Sequence, residues 1–133
     1  MARPKPITTA ETEPFWQTAK QGSLRLPQCT ACGQLSYPPA PRCRSCRSDA
    51  LSWKHLSGRA RLLSWTRVEL PTIPGVKPPF TIAEIELAEQ AGLVMTVLVR
   101  PALEDRLQAG MAIQVTFDTD GDWSFPVAAE GDA

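Results

Sequence analysis

Two Cys-x-x-Cys pairs constrain this chain more than any other feature. They are Cys29 with Cys32 and Cys43 with Cys46, separated by ten residues. Each pair can fold into a tight knuckle whose two sulfurs point at one metal. Two knuckles together make the tetrahedral S₄ shell that Zn²⁺ favours, at about 2.3 Å per bond. A tetrathiolate shell also suits iron. Using all four sulfurs leaves no open position for water or substrate, so the site reads as structural. Two disulfides or a redox-active pair are the other readings of this spacing. No apolar run approaches the roughly 20 residues of a membrane helix. The basic start, Met1 to Pro6, has no apolar stretch behind it, so it does not read as a secretory signal. A cytoplasmic location with no membrane association is therefore the expectation, and there thiols stay reduced and bind metal. Gly33 follows the first knuckle, where glycine relieves the turn. Arg47 stands at the matching place after the second, where it is expected to strain the knuckle or force a different turn without abolishing ligation.

The pattern on either side of the cysteines divides the chain. Residues 1–22 read as a flexible arm and a short helix, with Thr12 as cap, Pro14 in the first turn and Gly22 as terminator. Residues 23–56 read as the ribbon, with Pro38, Pro39 and Pro41 stiffening the loop between its knuckles. Residues 57–128 become all-β after the Ser57-Gly58 turn. Strands are expected over 59–70 (with a bulge), 80–87, 93–100, 113–117 and 123–127, and a partly helical connection over 101–112. Residues 71–79, PTIPGVKPP, read as a loop, and 129–133 as a tail. Five short strands with a connection between the third and fourth fit a small closed barrel of the OB type, with a sandwich fragment as the alternative.

Charge is segregated. Residues 1–67 hold eleven Lys/Arg against three Asp/Glu, and residues 68–133 hold three against eleven. The basic half can face phosphates or an acidic partner, or it can offset the thiolates. A nucleic-acid-binding module is the competing functional class, since ribbons and OB barrels both serve it. Zero net charge, an acidic barrel half and few aromatics along the barrel strands weigh against it. Catalytic material is sparse. The single histidine, His55, has no evident partner, and Glu84 and Glu86 read as a solvated strand face. With every cysteine committed to metal, no thiol nucleophile remains.

The order of parts carries a resemblance. Phe15-Trp16, Leu24 to Cys29, Cys32-Gly33, Tyr37-Pro38-Pro39, Cys43-x-x-Cys46, Leu51-Ser-Trp53, Ser57-Gly58 and Ile113-x-Val-x-Phe117 resemble the acyl-CoA-associated zinc-ribbon/OB-fold family across about residues 12–128. The resemblance implies a mainly β protein: an N-terminal helix, a rubredoxin-like ribbon holding structural Zn²⁺, and a five-stranded OB barrel. It also implies a non-catalytic accessory subunit that pairs with a thiolase-fold or lipid-transfer-protein-like enzyme as a hetero-oligomer and supports acyl-CoA handling. Some members pair with hydratase-type subunits instead. In that setting Arg59, Arg61, Arg67 and Lys77 are candidates for the phosphates of CoA. Phe15, Trp16, Ile73 and Val76 are candidate interface anchors, and packing on the protein's own ribbon or barrel is the other reading of Phe15 and Trp16.

Overall fold

A seven-residue helix is too short to be stable alone, so α1 (Glu13–Ala19) must be held by what it buries. Phe15, Thr18 and Ala19 face inward. Pro14 sits in the first turn, as expected. Thr12 occupies the N-cap position, but its side chain makes no capping bond, which corrects the expected cap. The backbone at Thr12 is already helical (φ −106°, ψ −16°) rather than extended, and its hydroxyl instead accepts the Thr9 N–H at 2.9 Å. The structure, a computed structural model, describes residues 3–132. At the start of that range Arg3 is docked. Its N–H donates to Asp120 Oδ2 at 2.9 Å, and its guanidinium lies 3.8 Å from the centre of the Phe125 ring.

β1 (Leu24–Cys29) and β2 (Leu51–Leu56) form a two-stranded antiparallel sheet in the register Leu24↔Leu56 to Cys29↔Leu51. The pairing therefore begins at the first knuckle. Five further strands close a barrel in the order β3-β4-β5-β7-β6. They are β3 (Arg59–Val68), β4 (Phe80–Leu87), β5 (Val94–Val99), β6 (Ala112–Asp120) and β7 (Trp123–Glu130). A 3-10 helix, Pro101–Arg106, links β5 to β6. All neighbours are antiparallel except β5 and β7, which touch in parallel at Leu98↔Val127 and Val99↔Ala128. This is the five-stranded OB arrangement.

Strand alternation is clearest in β4, where Thr81, Ala83, Ile85 and Leu87 are buried. The bulge in β3 falls between Leu62 and Ser64. Three barrel-strand ends lie two or more residues from expectation, and the start and end of β5 and the start of β6 shift by one. β3 stops at Val68 rather than residue 70. β6 runs to Asp120, leaving only Gly121 and Asp122 for the turn. β7 continues through Ala129 and Glu130, which the sequence pattern assigns to a tail. Alanine and glutamate carry little strand preference of their own; pairing with Ile113 and Gln114 on β6 holds them.

The ribbon and barrel share one apolar core. Phe15, Leu24, Leu26 and Leu35 join Leu62, Ile85, Met95 and Ile113 in a single cluster. Gln90, in the turn after β4, clasps the ribbon: its Oε1 accepts the Leu35 N–H at 2.8 Å and its Nε2 donates to the Leu35 carbonyl at 3.0 Å.

Candidate metal centre

The two knuckles are copies of one turn. The Cys29 N–H donates to the Gln34 carbonyl and the Gly33 N–H to the Cys29 carbonyl, both at 2.8 Å. In the second copy the Cys43 N–H donates to the Ser48 carbonyl at 2.8 Å and the Arg47 N–H to the Cys43 carbonyl at 2.9 Å. The glycine position is left-handed in both, with φ 82° at Gly33 and 66° at Arg47. The expected irregularity at Arg47 is thus an L-residue held in a conformation that suits glycine. Among the described residues it is the only non-glycine with positive φ.

The turns bring all four sulfurs within 4.8 Å of one another. Cys29 Sγ lies 3.5 Å from Cys46 Sγ, and Cys32 Sγ lies 3.5 Å from Cys43 Sγ. A tetrahedron with Zn–S bonds of about 2.3 Å has edges of about 3.8 Å, so the donor set fits zinc in number, type and spacing. Cys29 and Cys43 are buried, while Cys32 and Cys46 are on the surface. Backbone N–H groups aim at the buried pair. The Cys43 thiol is pulled down to about 6, first by the Cys46 N–H and, against the opposing effect of desolvation, by the Ser45 N–H. Cys29 is lowered in the same way, led by the N–H of Cys32. At Cys32 the Gln34 N–H is the largest single effect and pulls down, but the sulfur of Cys43, desolvation and the sulfurs of Cys46 and Cys29 together outweigh it, and the thiol rises to about 12. That opposition between adjacent sulfurs is what a cation at the centre removes.

Two arginines near the site have other partners. Arg42 Nη1 donates to the Arg47 carbonyl at 3.2 Å. Arg44 donates to the carbonyls of Tyr37 and Pro38 at 3.1 and 3.3 Å. They tie the proline loop to the second knuckle.

The remaining candidates do not form one cluster. Arg59 and Arg61 line a cavity of about 600 Å³ with Glu86 and Gln90. Arg61 is already ion-paired to Glu86 at 2.7 Å. Arg67 pairs with Glu69 at 2.9 Å along its own chain. Lys77 lines a separate pocket of about 220 Å³ with Val76, Glu104 and Asp118. Phe15 is 4% exposed and packs in this protein's own core with Leu24 and Leu26. Trp16 is half-buried, edge-on to Phe15, Trp123 and Phe125 with ring centres 5.0, 6.0 and 5.8 Å away. Ile73 and Trp16 meet at a cleft of about 280 Å³ with Tyr37, Leu98 and Phe125. His55 is exposed on β2, in register with Arg25. The sequence reading missed Arg3, which lines both the Trp16 cleft and the Lys77 pocket; no local pattern marks an arm residue that docks on a hairpin more than a hundred positions away.

Comparison with known proteins agrees with this architecture. Two family models match in tandem: "ChsH2, rubredoxin-like zinc ribbon domain" over residues 16–52 and "ChsH2, C-terminal OB-fold domain" over 53–118. The chain is 33% identical over 120 residues to the 3-oxo-4,17-pregnadiene-20-carboxyl-CoA hydratase alpha subunit of Mycobacterium tuberculosis. It is 28% identical over 127 residues to a probable enoyl-CoA hydratase alpha subunit of Thermomonospora curvata. It covers 38% and 39% of the length of those relatives. Among solved structures, a chain of an Ltp2-ChsH2(DUF35) aldolase superposes with a TM-score of 0.82 at 25% identity, over 93% of this chain and 97% of that one. A DUF35 protein of unknown function from Sulfolobus solfataricus shares the fold, with a TM-score of 0.62 at 18% identity over 81% and 78%. The chain belongs to the ChsH2/DUF35 family of zinc-ribbon and OB-fold proteins.

Proposed function

We propose that this chain is a non-catalytic subunit that holds one structural Zn²⁺ and docks on a lipid-transfer-protein-like, thiolase-fold enzyme, supporting that enzyme's handling of acyl-CoA. The observation that carries the reading is the end-to-end superposition on the ChsH2(DUF35) chain of an aldolase, with both ribbon and barrel in place. The chemistry of the chain supports it. Its four cysteines gather in one cluster and its single histidine is exposed, so the nucleophile and base of an acyl-CoA reaction are assigned to the partner. Of the four cations considered for the CoA phosphates, Arg59 and Arg61 are the pair that shares a cavity. Ile73, a candidate interface anchor, lines the Trp16 cleft. Likeness to two hydratase alpha subunits favours a hydratase-type subunit as the second candidate partner.

The test is co-expression with lipid-transfer-protein-like thiolase-fold subunits and hydratase-type subunits from the same genome, followed by size-exclusion chromatography and activity assays. The expected result is a stable hetero-oligomer with a thiolase-fold subunit that has little activity or solubility alone. A thiolase-fold subunit that elutes alone and is fully active without this chain overturns the reading.

A further inference from the structure

The strongest uncommitted feature of the surface is one side of β3. Its ladder with β6 ends at Arg61↔Ala112. Leu62 then closes that side against the loop before β6, donating to the Met111 carbonyl at 3.0 Å and accepting the Gly110 N–H at 2.7 Å. Beyond Leu62, β3 continues in regular register with β4, from Ser64↔Glu84 to Val68↔Phe80. Among the described residues no strand pairs with its opposite side there. Residues 63–67 are all exposed. A strand edge of this kind presents a row of unpaired N–H and C=O groups, and natural proteins blunt such edges with proline, bulges or charge. This one is not blunted. Residues 63–68 contain no proline and one charge, Arg67, and the bulge lies at the start and leaves 64–68 regular.

The edge is also apolar. Four large hydrophobic residues are exposed among those described, and three lie here: Leu63 (38%), Trp65 (43%) and Leu70 (68%). A protruding tryptophan flanked by aliphatics is the composition of an interface centre. The occupant is limited by charge. The open stretch carries one cation, Arg67, and no carboxylate, so an incoming strand that sets an acidic residue opposite it is favoured over one that sets a cation there. A strand that alternates apolar and acidic residues complements it. Arg67 is free to exchange its partner, because it and Glu69 are both more than half exposed.

We propose that the free edge of β3 from Leu63 to Val68, with Leu70, is the docking edge for the enzyme partner, which adds an extended apolar-and-acidic strand to the barrel. This rests on the accessory-subunit reading and names the surface that serves it. The main-chain bonds supply register, and Trp65 supplies the anchor.

The test uses the co-expressed complex with the thiolase-fold subunit, the full chain, and two variants. Trp65→Glu is expected to weaken the complex about 30-fold, the loss typical of one hot-spot anchor. Ile7→Glu removes an equally apolar exposed residue on the arm and is expected to leave affinity unchanged. Zinc content and melting temperature report whether each variant folds. Amide hydrogen exchange on the unmutated complex gives an independent reading, with slowed exchange expected over residues 63–68. A complex that forms with unchanged exchange there, or that tolerates Trp65→Glu in a folded variant, overturns the docking edge and leaves the accessory role standing. Failure of the unmutated chain to form any complex overturns both.

Discussion

Gly33 and Arg47 occupy the same place in two copies of one turn, with φ of 82° and 66°, and only one of them is suited to it. A side chain in the left-handed region costs roughly 1–2 kcal/mol, because Cβ crowds the following carbonyl oxygen. Glycine avoids that cost but loses more chain entropy on folding. Arg47→Gly is therefore expected to raise the stability of the metal-loaded protein by up to about 1 kcal/mol. Thermal melts of the two proteins with matched zinc content check this, and a lower melting temperature for the variant contradicts it. The Arg47 carbonyl, which accepts from Arg42, is kept in the variant, so the loop tie does not confound the result.

At the scale of the element, the start of β3 is tied to the end of β4 by Glu86. Its carboxylate accepts the Gly92 N–H at 2.8 Å and the Arg61 Nε–H at 2.8 Å. The first of these, with Arg61 second, holds its pKa below the ordinary 4.5. A carboxyl group more acidic in the folded state stabilises the fold when ionised. That contribution is fully present above the unfolded value near 4.5 and disappears as pH falls through the lower folded value. Glu86→Gln should accordingly melt at a lower temperature than the parent protein at pH 7. The gap should close as the buffer is taken below pH 4.5. A gap that stays constant with pH would mean that packing, not charge, accounts for it.

Across the whole molecule, the ribbon that carries the metal centre packs on the barrel through one apolar core. Phe15, Leu24, Leu26 and Leu35 share a core with Ile85, Met95 and Ile113, and Gln90 fastens the ribbon to a barrel turn. Metal binding in small tetrathiolate modules supplies on the order of 10 kcal/mol of folding energy, comparable to the whole stability of a small domain. Chelation at neutral pH is thus expected to expose the four thiols and shift tryptophan fluorescence in one transition, since Trp16 on α1, whose neighbour Phe15 shares a core with the ribbon, meets Trp123 of β7 edge-on. Thiol titration and fluorescence followed together measure this. Complete thiol exposure with an unchanged tryptophan signal would show two independent units.

The local features were legible in the linear chain. Cysteine spacing fixes a four-sulfur cluster because each knuckle closes within five residues. The alternation of 80–87 names its buried face because side chains alternate across a strand. Comparison with Gly33 marks Arg47 as irregular but allows either strain or a different turn, and the structure has the same turn with a left-handed Arg47. Features that depend on distant neighbours were not legible. The last residues of β7 are strand only because β6 pairs with them. Phe15 reads equally well as an anchor or as core until the ribbon folds over it. The four candidate cations disperse because Arg61 and Arg67 find carboxylates that lie across a strand or two residues on. The bare edge of β3 is visible only once β6 is seen to turn away after three pairs. Short-range sterics and ligand geometry are written into neighbouring residues, whereas burial and pairing are properties of surfaces that exist only after the chain has closed on itself.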